Sequence, residues 1–595
     1  MKVSLLEIEN FRGVKKASLL LPAHAVLIGD NNTGKSTVLE ALDLVLGPDR
    51  LSRPSPIDEH DFHDGLYLAP AGPGSATQDG AEQPCITITA TITELSEEQL
   101  SYFGSYIEWW NTSSSTLFND PDAEKLDAAP AIPALRVTFI GRYDPDEDDF
   151  EGKTYYTRTL DEADEPDQFG KRDKQRCGFL YLRSIRTGSR ALSLERGSLL
   201  DIILRLKEIR PKMWESTLSG LLAFDVASNP ELGISGVLSS IDAALKKYVP
   251  REWGIQPHLR VSALTRRHLR EVITAFIATG DGAHSAPYYR QGTGTVNMLL
   301  LAMLSQIAED KQNVIFAMEE PETAIPPYAQ KRIVHELRKL SAQSLFTSHS
   351  PYVLEEFSLE ETLVLSRSSA GDLVSAKVVL PNSVKHKRYR QEFRTRFCES
   401  LLARRILIAE GATEATAFPA AARRLAELNP STYASLESLG VSVLDAGSDS
   451  QIIDLATLYK NLGKDTFALC DKQSPEQQTK ISGAVNKLFM HTEKDFEDLV
   501  LKNTTQAALE RFANALDWPP HLKAKYPDLK KNTAAALTDY FNWSKGNWGM
   551  ADYLSQCSET EIPKWLRDVC LALKMQYQSQ AIAAEPAPAT NSKKT

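Results

Sequence analysis

Gly29–Ser36 reads G-D-N-N-T-G-K-S and satisfies G-x-x-x-x-G-K-[ST] at every fixed position. That spacing suits the binding of a polyphosphate. Gly29 and Gly34 let backbone N–H groups turn inward onto phosphate oxygens, Lys35 supplies a point charge, and Ser36 can ligate Mg²⁺. Asn31, Asn32 and Thr37 complete the expected contact set, so ATP is the expected ligand. A chance glycine-rich turn is the plain alternative. The apolar run before the motif and the helix-spaced VLEALDLVLG after it favour the phosphate loop.

Further along, NVIFAMEEPE (313–322) is a buried-strand pattern ending in adjacent carboxylates. Glu319 is expected to hold the Mg²⁺-bound water and Glu320 to polarise the attacking water. Glu319 stands where an aspartate is usual, which predicts slow turnover. His349, in FTSHS, is placed to sense the γ-phosphate; a lone histidine is otherwise a structural polar group. QGTGTVN (291–297), with Gly292 and Gly294, opens a helix expected from residue 296 and makes a second anion-binding turn. Phosphate loop, signature, paired acid and histidine follow the order of ABC-type ATPases. There the signature binds the nucleotide of the opposite protomer, so a homodimer or larger homo-oligomer is expected. Asp61, in EHDFHDG, is a weaker candidate for a metal or water ligand. Arg12, in ENFRG, is as readily a surface arginine as a phosphate contact.

A second constellation follows. RILIAEGATE (405–414) is a strand pattern ending in Glu410, with Glu414 one turn into the next helix, and TFALC (466–470) leads to Asp471. Carboxylates at the carboxyl ends of neighbouring parallel strands converge on one sheet edge. Such an oxygen-rich set suits Mg²⁺ or Mn²⁺, which polarises a phosphodiester and activates water. Glu497 is the better candidate in HTEKDFEDLV, and Glu493 reads as a solvated face. Asp445 and Asp449 rank below these. Lys545, in FNWSKGNWGMADYL, is a candidate for stabilising charge on phosphate. Residues 385–405 hold eight Lys and Arg against two Glu. This segment suits either a DNA backbone or a solvated interdomain helix.

The elements that must position these residues are legible in outline. A chain of 595 residues needs several cores. Strands are expected at 3–9, 17–28, 86–94, 135–143, 153–160 and 344–347. Helical patterns cover 199–245, 264–278 and 296–309, and a fresh α/β alternation starts at 405. The expected class is α/β: an ABC-type ATPase over 1–380, with a β-rich insertion at about 69–175 and a helical dimerisation insertion at about 200–260. A basic linker (381–403), a metal-binding α/β domain with C-terminal helices (404–580) and a disordered tail (581–595) follow. No apolar run spans a bilayer, the N-terminus reads as a first strand, and the six cysteines show no C-x-x-C pair. A reducing cytoplasm without membrane contact is therefore expected. The net charge of -11 disfavours a polyanionic partner except at a local basic stretch.

The second constellation resembles the Toprim fold, whose D-x-D pattern lacks its second aspartate here: Asp471-Lys472-Gln473. SMC-type repair ATPases share the first four motifs but insert long coiled-coil arms, and no sustained heptad region exists here. NFRG, GDNNTGKST, RQGTGTVN, EEPE, TSHSP, EGATE and SKGNW, in this order, resemble the OLD (overcoming lysogenization defect) family of ATP-dependent endonucleases, including Gabija-type nuclease subunits. The resemblance implies DNA cleavage with two Mg²⁺ or Mn²⁺ ions in the Toprim site and one with ATP. It also implies a homo-oligomer and anti-phage defence, in some members beside a helicase or a retron. An RNA-cleaving toxin, or a structural ATPase clamp with a degenerate Toprim domain, are the competing expectations.

Overall fold

A computed structural model describes residues 1–48, 56–68, 83–118, 130–162, 165–182, 198–207, 209–223, 234–248, 265, 268–269, 273, 275–278, 285–310, 314–323, 325–381, 394–528, 532–545 and 548–583. The chain forms two compact units. One comprises Met1–Ala25 with Ser36–Ser348, the other Val26–Lys35 with His349–Thr595.

The chain opens with β1 (Lys2–Phe11), β2 (Val14–Leu20) and β3 (His24–Ile28), then α1 (Lys35–Leu46). Residues 17–28 were expected as one strand. The structure interrupts them at Leu21–Ala23, where Pro22 cannot donate to a ladder. In the first unit, β4 (Ile86–Thr93), β5 (Ile107–Asn111), β6 (Thr116–Leu117), β7 (Ala131–Asp144) and β8 (Asp149–Tyr156) join an antiparallel array of order β6-β5-β7-β4-β1-β2, with β8 on β7. β4 alternates as expected only in its first half. Thr91 and Thr93 are buried, and the Thr93 hydroxyl meets that of Ser4 at 2.6 Å. The strand expected to 160 stops at Tyr156, and Thr157–Glu162 is helical. The Thr159 hydroxyl there donates to the Tyr156 carbonyl, a local bond that competes with the ladder.

The same unit holds β9 (Phe179–Leu182), then helices α2 (Leu199–Leu206), α3 (Arg210–Ala223) and α4 (Ile234–Tyr248). Residues 276–278, expected as helix, form β10 (Phe276–Ala278), which pairs with β11 (Ser285–Pro287). Helix α5 (Thr293–Asp310) starts three residues earlier than expected. β12 (Ile315–Glu319) lies between β9 and β13 (Gln343–Thr347) in a parallel set, with α6 (Pro327–Leu340) as the crossover.

In the second unit, β3 pairs in parallel with β14 (Thr362–Arg367), which pairs antiparallel with β15 (Asp372–Lys377). After α7 (Arg394–Leu402) comes a four-stranded parallel sheet. It alternates β16 (Arg405–Ala409), α8 (Ala412–Leu428), β17 (Val441–Asp445), α9 (Asp449–Asn461), β18 (Asp465–Cys470) and β19 (Lys487–Met490), in spatial order β17-β16-β18-β19. β16 and β18 are buried almost throughout, as strands covered on both faces must be. Helices α10 (Phe496–Lys502), α11 (Thr533–Trp543), α12 (Gly549–Ser555) and α13 (Lys564–Ala583) follow. Their Phe496, Phe541, Tyr553 and Leu566 share one core with Leu407, Phe418 and Phe467. Residues 581–583, expected within a disordered tail, end α13; the rest of that tail lies outside the described residues, as do residues 69–82 of the expected β-rich insertion and 382–393 of the expected basic linker.

Candidate active sites

In the phosphate loop, Gly29 and Gly34 take φ of 155° and 109°, and Asn32 takes a left-handed 65°. A side chain at Gly29 would put its Cβ 2.6 Å from the Leu365 carbonyl oxygen, so close backbone approach as well as conformation selects glycine. The Lys35 ammonium lies over the loop, donating to the Gly29 and Asp30 carbonyls at 2.9 Å each. Lys35 begins α1, so Ser36 and Thr37 stand in the first helical turn beside its positive end. Asn31 and Asn32 are exposed.

Glu319 ends β12 and accepts from the Tyr181 hydroxyl at 2.8 Å. Glu320 follows with φ of 45°, its N–H donating to the Thr347 carbonyl at 2.9 Å. A left-handed glutamate is strained, and such strain clusters at functional positions. His349 is exposed, two residues beyond β13. Gly292 precedes α5 and Gly294 falls inside its first turn. Arg12 and Asp61 are committed to each other: Arg12 Nε meets Asp61 Oδ1 at 2.7 Å, and its other arm meets Glu40 at 2.8 Å. Their charges are thereby satisfied within the fold.

The second site is built on the carboxyl edge of the parallel sheet. β16 delivers Glu410, and its N–H donates to the Leu469 carbonyl of β18 at 3.0 Å. Glu410 Oε2 accepts from the Asp471 N–H and from Gln473 Nε2, both at 3.0 Å. The side chain in the place of the missing second aspartate therefore bonds the first glutamate. Glu414 is buried on the first turn of α8. Burial, with Asp471, Glu497 and Glu410 nearby, pushes its carboxyl up to about 7. Burial also raises Glu410, against the hydrogen bond from Asp471. Buried Glu497 accepts from Thr413 Oγ1 at 3.0 Å and lies 3.4 Å from Lys545 Nζ. Lys545 is distant in sequence yet reaches the same edge.

Glu493 and Asp445 are engaged away from these four carboxylates, whereas Asp449 stays near Glu410. Glu493 pairs with Lys502 at 2.8 Å on the surface. Asp445 accepts from the Gly447 N–H of its own loop at 2.7 Å. Asp449 adds repulsion at Glu410. In the basic segment, the Arg405 guanidinium lies 3.5 Å over the Tyr577 ring.

His491, just past β19, was not a sequence candidate. Its Nε2 lies 2.8 Å from Asp471 Oδ1, outside hydrogen-bond geometry, and among the described residues these buried atoms have no hydrogen-bond partner. Its ring packs edge-on against Trp565 at 5.2 Å. A histidine two residues before the acidic Glu493 was the available signal; its partner, twenty residues earlier, was not.

Among the described residues no group of three or more His, Cys, Asp or Glu side chains is gathered tightly enough to hold a metal ion. The donor set still suits a divalent cation. It is rich in carboxylate oxygen, among the described residues Asp471 Oδ1 accepts no hydrogen bond, and burial beside like charges disfavours a bare Glu414 carboxylate, a cost that a bound cation would offset.

Comparisons with known proteins agree with this division. A model described as an AAA ATPase domain matches residues 1–102 and 233–354. A model described as the overcoming lysogenization defect protein-like TOPRIM domain matches residues 401–472. The chain is therefore an ATPase joined to a Toprim domain. That combination matches the architecture of the OLD-family ATPase-nucleases, and the fold is mixed α/β with an ATPase domain, a Toprim domain and helices after the Toprim sheet. ATP and a divalent metal are the ligands such domains use in general. The uncharacterized protein YbjD of Escherichia coli (strain K12) is 47% identical over 49 residues, 8% of this chain and 9% of that protein's length. The SMC head domain from Thermotoga maritima is 10% identical, covering 64% of this chain and 100% of that one, with a TM-score of 0.30. Stu0660 of Streptococcus thermophilus is 10% identical, covering 67% and 86%, with a TM-score of 0.33. Among the described residues no helix is long and apolar enough to cross a membrane.

Two outcomes are expected. Glu414 has a folded value near 7 against an ordinary 4.5, so the stability its proton contributes is full below 4.5 and lost as pH rises through about 7. Glu414→Gln should remove that loss, raising metal-free stability at pH 8 by on the order of 3 kcal/mol. It should also shrink the rise in thermal midpoint on adding Mn²⁺. A variant with the wild-type pH profile would contradict this. Second, His491→Phe keeps the edge contact with Trp565 but removes the ring nitrogens beside Asp471. Mn²⁺ affinity by calorimetry should fall by about 10–100-fold with ATP affinity unchanged.

Proposed function

We propose that this chain is an ATP-binding, divalent-metal-dependent DNA endonuclease that nicks or cuts duplex DNA as a homo-oligomer. The observation that carries it is the meeting of Glu410, Glu414, Asp471 and Glu497 at one edge of a parallel sheet, with Lys545 against Glu497. Those carboxylates would hold Mg²⁺ or Mn²⁺. A bound ion there supplies a polarised phosphodiester and an activated water. Gln473 and the Asp471 N–H fix the Glu410 carboxylate, and Thr413 fixes Glu497. Lys545 is placed to hold negative charge on the phosphate or its leaving group. In the ATPase, Lys35 and Ser36 bind the phosphates and their Mg²⁺, Glu319 holds the metal's water, Glu320 polarises the attacking water and His349 senses the γ-phosphate.

The signature at Gly292 and Gly294 supports assembly, because it serves the phosphates of another protomer. Val237 and Ile241, one turn apart on α4, are 60% and 44% exposed, which suits an apolar face covered by a second copy. A role in anti-phage defence, beside a helicase or a retron, is supported by the family architecture. One observation favours a second reading, a structural ATPase clamp with a degenerate Toprim domain: Gln473 replaces a carboxylate and ties up Glu410.

Supercoiled plasmid with and without Mn²⁺ and ATP separates the two. Nicking should need Mn²⁺. Glu410→Ala or Asp471→Ala should eliminate it with ATP binding intact, and Lys545→Ala should slow it without releasing metal. An inert wild type together with an active Gln473→Asp would establish the second reading. Lys35→Ala should abolish ATP binding in calorimetry. Light scattering should show an assembly; a 66.0 kDa species alone, with and without ATP, would refute the oligomer.

A further inference from the structure

We infer that Trp543 and Trp548, at the facing ends of α11 and α12, are stacking surfaces for unpaired bases, so that the strand reaching the carboxylate edge is single-stranded DNA or a locally opened duplex. The inference rests on the endonuclease reading above and names its substrate class.

Trp543 and Trp548 are 56% and 76% exposed. They flank Lys545, whose ammonium lies 3.4 Å from Glu497 at the carboxylate edge. The two indoles stand at the ends of two helices that meet. A Cβ at Gly549 would fall 2.3 Å from Ser544 Oγ and 3.2 Å from Tyr540 Cε1, so the start of α12 is pressed onto the end of α11. Trp543 is braced from behind, its ring 5.6 Å from His521 and 6.0 Å from Tyr540. The neighbouring Phe541, Met550 and Tyr553 enter the core. The same segment thus buries its other large apolar side chains and leaves these two in water.

Exposed indoles beside a charged site call for a flat, amphipathic occupant. A nucleobase has a π-face, and stacking on an aromatic ring is tolerant of sequence. Charge selects the same occupant. Lys472 and Lys494 are exposed on the loops that leave β18 and β19, beside Asp471 and His491, and Lys545 lies between the tryptophans. Exposed ammonium groups on the loops of this site, with exposed indoles flanking Lys545, suit a phosphate backbone with its bases turned outward. In an intact duplex the base faces are covered by their neighbours, and only edges are offered in the grooves. The platform therefore distinguishes unpaired from paired DNA, which the carboxylates cannot do.

The test uses full-length protein with Ca²⁺ in place of Mn²⁺, and a fluorescent oligothymidylate against a duplex of equal length. Trp543→Ala and Trp548→Ala should each weaken single-strand binding by about five- to a hundredfold, with Trp→Phe recovering most of it. Duplex affinity should stay within about twofold, since its contacts are to phosphate. Unchanged single-strand affinity in both alanine variants overturns the platform, as does an equal loss on both DNAs. Tighter binding of single-stranded RNA than of DNA overturns the assignment to DNA. Preserved ATP affinity and thermal midpoint show that the variants fold. Tryptophan-dependent binding by a wild type that never nicks plasmid would remove the endonuclease reading and leave the platform. Nicking undiminished by both substitutions would do the reverse.

Discussion

Buried like charges repel, and a parallel sheet forces them together. Every strand of β17-β16-β18-β19 ends on the same side, so Glu410 and Asp471 meet because of topology. The helices after β16 and β19 add Glu414 and Glu497. Each carboxylate is managed differently. Glu410 takes a backbone N–H and an amide, Glu497 takes a hydroxyl and faces an ammonium, and burial favours a proton on Glu414. Asp471 Oδ1 faces an imidazole edge and, among the described residues, accepts no hydrogen bond. Such an arrangement is stable only if its walls cannot relax apart. The shared core of Leu407, Phe418, Phe467, Phe541, Tyr553 and Leu566 provides that stiffness, and this explains why helices so late in the chain belong to the site.

What could be read from the sequence was what is local in it. The phosphate loop, with strand before and helix after, and RILIAEGATE are continuous segments whose chemistry and secondary structure are written in adjacent residues. What could not be read depends on neighbours across the sheet. His491 reaches Asp471 because β19 pairs with β18, a register that no local pattern encodes. Gln473 looked like a lost ligand. The fold makes it the residue that holds Glu410. The left-handed φ of Glu320 is invisible in EEPE, since glutamate gives no hint of it. Pro22 was a readable break that the apolar run around it obscured.

Arg12 and Asp61 show how residue type underdetermines role. Both stood among the candidates because an arginine and an aspartate near a phosphate loop can serve a nucleotide. In the fold they lie 2.7 Å apart, with Glu40 on the other arm of the guanidinium. A charge so paired would have to surrender strong contacts before binding anything else. Lys35 differs in kind. Its partners are two neutral carbonyls of its own loop, which a polyphosphate outcompetes on charge alone.

The same bookkeeping of charge bears on how an acidic protein meets a polyanion. The net charge is -11, and the basic segment expected to compensate commits Arg405 to the Tyr577 ring. Without metal, the carboxylate edge would repel a phosphodiester. A divalent ion reverses that potential where it binds, and the exposed Lys472, Lys494 and Lys545 then reinforce it instead of opposing it. The carboxylates and the lysines, contradictory as a surface, become one surface once the ion is present. On the proposed reading, affinity for DNA in such a site would therefore be coupled to metal: the ion that would do the chemistry would also admit the substrate.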